Sequence, residues 1–125
     1  MYYTNDFALS FNIGEDAGEK CAVNGNAVAI DPNGRCSVFG YKDKIFIKTF
    51  EREIGKGLLL SYFGETCDIN PKVLKRINFY VICDQKLSEF NLLDYDKCEI
   101  NMKIYAPAGC KKAVGRKSNV IKVFM

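Results

Sequence analysis

Four of the chain's six cysteines, Cys67, Cys83, Cys98 and Cys110, stand in or beside apolar or alternating runs between Gly57 and Cys110. Cysteines placed this way against strand-like runs mark a disulfide framework laid over β-structure. The chain has no histidine and no Cys-x-x-Cys. Zinc ribbons and dithiol redox centres need closely spaced thiolates, and zinc commonly pairs cysteine with histidine, so three disulfides are the most economical use of the thiols. No metal site and no cofactor are expected. The missing histidine also removes Ser/His and Cys/His nucleophile pairs, and the spacing of the carboxylates, lysines and tyrosines suggests no acid/base pair. The sequence points away from an enzyme.

Disulfides persist in oxidising compartments, which places the chain in the secretory or endomembrane lumen, at the cell surface or outside the cell. Residues 1–20 carry acidic and polar side chains where the apolar part of a signal peptide would lie, so the chain reads as a segment of a larger secreted or membrane-anchored protein. No run approaches 18 apolar residues, and no direct membrane insertion by this segment is expected. At 125 residues there is room for a single domain, 1–125. The net charge of +3 has one local excess, Lys111, Lys112, Arg116, Lys117 and Lys122. That is a solvated basic tail and not a nucleic-acid surface, which would concentrate far more positive charge on one face.

Taken in order, the chain is a succession of short strands. Phe7, Leu9, Phe11 and Ile13 alternate with Ala8, Ser10 and Asn12, the period of a half-buried strand. Turn signals at Asn24–Asn26 and Asp31–Gly34 bracket the run AVAI and bring Cys21 and Cys36 within reach of a local bridge. Ile45–Phe50, Leu58–Phe63, Ile77–Cys83, Cys98–Tyr105 and Asn119–Phe124 supply further strands. PKVLKR, residues 71–76, has room for a helical turn, and Leu87–Tyr95 reads as a structured loop with some helical spacing. The expected class is all-β with little helix: a disulfide-stapled, flattened antiparallel barrel or sandwich of seven or eight strands.

The cysteine spacing and its flanking residues resemble the mannose 6-phosphate receptor homology domain. The matching features are an apolar strand with Tyr-x-Gly before a cysteine (Leu58 to Cys67), a strand ending in Cys-Asp (Cys83, Asp84), a cysteine opening an alternating strand (Cys98), and the corner APAGC ending at Cys110. The resemblance covers about Cys21 to Cys110. It implies two crossed antiparallel sheets and the pairs Cys21–Cys36, Cys67–Cys98 and Cys83–Cys110.

Sugar-binding members of that family hold mannose with Gln, Arg, Glu and Tyr, because ring hydroxyls need paired donors and acceptors. Here the glutamine position falls on Ala29 and the tyrosine position on Ile100. The arginine position is Lys75, with Arg76 one place on and pointing to the other face of a regular strand. Glu89 lies near the glutamate position. The resemblance therefore implies a receptor-like or lectin-like module with a degenerate sugar site, acting as a protein-binding or structural unit. Its partner would be another protein or neighbouring domains of a parent chain. The alternative is a lectin for an N-glycan, mannose or phosphomannose, with a pocket rearranged around Lys75, Arg76 and Glu89. Aromatic candidates for a contact surface are Tyr2, Tyr3, Tyr41 and the stretch Phe90 to Tyr95.

Overall fold

The structure, a computed structural model, describes residues 2–13 and 25–110. Cys21, the basic run from Lys111 and the expected strand Asn119–Phe124 lie outside the described residues. Among the described residues nine strands form two sheets. The first, in order β1-β2-β3-β4, comprises β1 (Tyr2–Tyr3), β2 (Ala8–Phe11), β3 (Ala27–Ile30) and β4 (Cys36–Gly40). The second, in order β5-β6-β7-β9-β8, comprises β5 (Ile45–Arg52), β6 (Gly55–Cys67), β7 (Asn70–Cys83), β8 (Asn91–Tyr95) and β9 (Glu99–Ala106). The only helical element among the described residues is a 3-10 turn, Pro107–Cys110. This is the all-β, disulfide-stapled class expected from sequence, built as a sandwich; the sheets do not close into a barrel.

Side-chain alternation decides which face of the second sheet meets the first. Leu58, Leu60 and Tyr62 of β6, Ile77, Phe79 and Val81 of β7, and Ile100, Met102 and Ile104 of β9 form the main core with Leu9, Ala27, Ala29 and Phe39 of the first sheet. Phe7, Phe11 and Ile13 join them, so the period-2 reading of that segment gives the correct inward face. Phe79 sits at the centre, with ring contacts to Phe11, Tyr62 and Phe90. Burying a side chain of this kind stabilises the fold by roughly 1.5–3 kcal/mol. Close approach of the sheets depends on Gly64, where a Cβ would overlap the Val38 carbonyl and the Phe39 backbone.

Three local expectations change. Residues 71–76 hold no helical turn: β7 begins at Asn70 and pairs with β6, so the two strands form a long hairpin. Asn91–Tyr95 is a strand and not a loop. Leu92 packs on the main core and Leu93 on the opposite side of the sheet, and a register break between Leu92 and Asp94 interrupts the alternation, so that Asp94 follows Leu93 on the outer face. The third change is in pairing direction. β7 and β9 run parallel, from Arg76↔Glu99 to Cys83↔Ala106, while every other paired strand is antiparallel.

Cys67 is bonded to Cys98 and Cys83 to Cys110, the two pairs that the resemblance implies for these residues. Cys36 is also disulfide-bonded; the expected bridge to Cys21 lies outside the described residues. The first bridge closes a separation of 31 residues and the second one of 27. In the chain-entropy model each contributes on the order of 3 kcal/mol. Replacing Cys67 and Cys98 together by serine is expected to lower the unfolding free energy by about that amount. Denaturant titration checks this; an unchanged midpoint would show that the bridge constrains nothing in the unfolded chain.

Candidate functional site

Three of the positions that the resemblance assigns to a sugar, those of Ala29, Lys75 and Ile100, fall on the inner face, and they are packed. Ala29 and Ile100 belong to the main core. Lys75 is only 2% exposed. Its Nζ donates to Glu65 Oε2 at 3.1 Å, lies 3.5 Å from Asp68 Oδ2, and sits 5.7 Å from the Phe39 ring centroid. Glu65 in turn accepts from the Val38 amide at 2.9 Å, so this charge cluster fastens β6 and β7 to β4 of the other sheet. A buried ammonium requires such partners, because an unpaired one would carry a large desolvation cost.

Arg76 points to the outer face, as strand alternation requires, and Glu89 is exposed in the connection between β7 and β8. The Glu89 backbone carbonyl accepts from Ser88 Oγ at 3.0 Å and Asn91 Nδ2 at 3.3 Å. The fold therefore does not bring Lys75, Arg76 and Glu89 to one pocket.

A different site appears on the outer face. There a groove of about 930 Å³ runs over β5, β6, β7, β9 and β8. Its floor is one cross-strand row in direct register, Phe46↔Ser61↔Asn78↔Asn101↔Asp94. Ser61 Oγ donates to Asn78 Oδ1 at 2.5 Å, and Asn78 Nδ2 donates to Asn101 Oδ1 at 2.7 Å. Asn101 Nδ2 donates to Asp94 Oδ1 at 2.6 Å and to Glu99 Oε2 at 3.1 Å. Each amide uses its carbonyl toward one neighbour and its NH2 toward the next, so the row is polarised across four strands.

The adjacent row is Phe63↔Arg76↔Glu99. Arg76 donates to Glu99 Oε1 through Nε, at 2.7 Å, and through Nη2, while its guanidinium lies 5.9 Å from the Phe63 centroid. Burial works to raise the Glu99 pKa, but the hydrogen bonds from Arg76 and Asn101 and the Arg76 charge outweigh it, and the carboxyl titrates below its usual 4.5. At the other end of the groove, Arg52 Nη1 donates to the Tyr80 hydroxyl at 3.2 Å, and Tyr80 packs edge-on against Phe50. The lining charges are Lys48, Arg52 and Arg76 against Glu53, Asp94 and Glu99, an even balance.

Sequence reading passed over this row. Its signal was a lone polar residue inside each strongly apolar strand: Ser61 in LLLSYF, Asn78 in INFYVIC and Asn101 in EINMKIY. Only register shows that the three are neighbours. Among the described residues no group of three or more His, Cys, Asp or Glu could hold a metal ion. No protein-family model matches the chain, and no curated protein matches it.

Two outcomes are expected. Asn78→Ala removes the middle of the row and leaves the Ser61 hydroxyl and Asn101 carbonyl without their partner, costing about 1–3 kcal/mol of stability by denaturant titration; a cost near zero would mean that water replaces the amide freely. For Glu99, a lowered folded-state pKa gives stability that is present above pH 4.5 and lost as pH falls through the folded value. Arg76→Ala is therefore expected to destabilise the protein at neutral pH, with the difference from wild type shrinking as pH falls below about 4.5. Unfolding free energies measured across that range check it, and a pH-independent difference would assign the effect to packing on Phe63.

Proposed function

We propose that this chain is a divergent member of the mannose 6-phosphate receptor homology family, a non-catalytic receptor-like module that binds protein and not mannose. The observation that carries the reading is the packing of Ala29, Lys75 and Ile100: three of the four side chains that stand where the family places its sugar contacts are buried in the core or its adjoining ion pairs. A ligand pocket there would require removing apolar contacts and leaving Lys75 without Glu65, both at substantial free-energy cost.

Apolar exposure favours a protein partner. Ile69, Val73 and Leu74 project from the end of the β6–β7 hairpin, Ile69 with 63% of its surface exposed. Of the aromatic residues considered as contact candidates, Phe90 packs on Phe11 and Phe79, and Tyr2 accepts a hydrogen bond from the Leu92 amide. Tyr3 and Tyr95 remain exposed. The disulfides are compatible with an oxidising compartment, and a secretory or extracellular location is part of the proposal.

Nuclear magnetic resonance titration with mannose and with mannose 6-phosphate, up to millimolar concentration, tests the reading. No saturable shift is expected at residues 29, 75 and 100. Saturable shifts at those amides, abolished by Glu89→Gln, would replace it with the lectin reading.

A further inference from the structure

The two sheets have four edges, and three of them are closed by identifiable devices. β1 has only two residues. The β4 edge lies against β6, where the Val38 amide donates to Glu65 and the β4 backbone meets Gly64. β8 has five residues and a register break between Leu92 and Asp94, and its Leu92 amide donates to the Tyr2 hydroxyl at 3.2 Å. Tyr95 of β8 is tied further to the N-terminal segment, donating to Asp6 and packing edge-on against Phe7. Hydrogen bonding to Asp6 raises the Tyr95 pKa above 10.0.

β5 has none of these protections. It is eight residues long, pairs with β6 in unbroken register from Ile45↔Tyr62 to Arg52↔Gly55, contains no proline, and has no second strand beside it among the described residues. Long, regular, open edges are templates for another strand, and proteins that do not use them usually blunt them. The side chains along it also point to a ligand. On the outer face β5 presents Phe46, Lys48, Phe50 and Arg52 in alternation. Phe46 is 61% exposed, and Lys48 has no salt-bridge partner among the described residues. Both line the β5 side of the groove, on the face to which every second side chain of an added strand would point.

We propose that the β5 edge is a docking site for an extended acidic-apolar peptide segment of a partner protein, which joins the second sheet as a sixth strand. An apolar side chain of that segment stands beside Phe46, and an Asp or Glu two residues away stands beside Lys48. Backbone hydrogen bonds to β5 supply affinity, and the alternate side chains beside Phe46 and Lys48 supply selectivity. The inference rests on the protein-binding reading and specifies the surface and the chemistry of the partner.

The test is selection from a displayed octapeptide library, with valine or threonine at every second position and random residues between, on the intact oxidised protein. Enriched peptides are expected to alternate acidic with apolar residues at the random positions. Hydrogen exchange with a synthetic copy should then protect β5 amides at every second residue. Lys48→Glu, an exposed change that circular dichroism can verify as folded, should weaken that peptide by roughly tenfold, from loss of one cross-strand ion pair and gain of a repulsion. Selection on the variant should turn toward basic residues. Failure to enrich any peptide, or protection confined to the β6–β7 hairpin end or to β8, would overturn the proposal. Those outcomes leave the protein-binding reading in place if mannose still does not bind, whereas mannose binding at residues 29, 75 and 100 would remove both.

Discussion

The parallel pairing of β7 with β9 is the constraint on which the second sheet depends. A parallel pair cannot be made by a tight turn; the chain must leave one end of β7 and return to the other, and the ladder is slightly less stable per residue than an antiparallel one. Here the return uses residues 84–98, with β8 lying on the far side of β9. Both ends of the pair are clamped. Cys98, immediately before Glu99, is bonded to Cys67 at the end of β6, and Cys83, opposite Ala106, is bonded to Cys110 just past the end of β9. The Arg76–Glu99 ion pair sits at the first position of the register. A slip of one residue would turn Asn101 toward the core and Met102 toward the groove, so covalent and ionic clamps enforce the same alignment as the hydrophobic pattern.

That alignment gives the sheet two unlike faces. The inner face of β6, β7 and β9 is apolar from Leu58 to Ile104 and packs on the small residues Ala27 and Ala29 and on Phe39, which fills the space a buried polar ligand would occupy. Lys75 is the exception, accommodated because Glu65 and Asp68 lie at the open end of the sandwich where the Nζ can reach them. The outer face keeps a smaller apolar cluster of Phe50, Leu59, Tyr80 and Ile82 at one end and the amide row at the other. Exposed polar side chains thus lie on the outer surface of this sheet and not in the interior of the sandwich.

Much of this was legible from residue order. Alternation at Phe7 to Ile13 and at Cys98 to Tyr105 marked inward and outward side chains, because one face of each strand is dry and the other is not. Opposite facing of Lys75 and Arg76 followed from the same period. β8 was hidden for the opposite reason: it has five residues, and a register break puts Leu93 and Asp94 on the same face, so no regular strand period is sustained. Residues 70–76 were hidden because their side chains are largely exposed and their strand conformation comes from pairing with β6, not from a hydrophobic pattern.

Residue type and local period are enough for the all-β class, the stapling by cysteine pairs and the opposite facing of Lys75 and Arg76. The tertiary structure alone decided which strands are neighbours and in what direction. Ser61, Asn78, Asn101 and Asp94 are separated by as many as 40 residues along the chain, and nothing in their local runs relates them. They become one hydrogen-bonded row only because long-range register sets them opposite one another. The edge position of β5 has the same origin: a strand is an edge not by its composition but because, among the described residues, no other strand lies beside it.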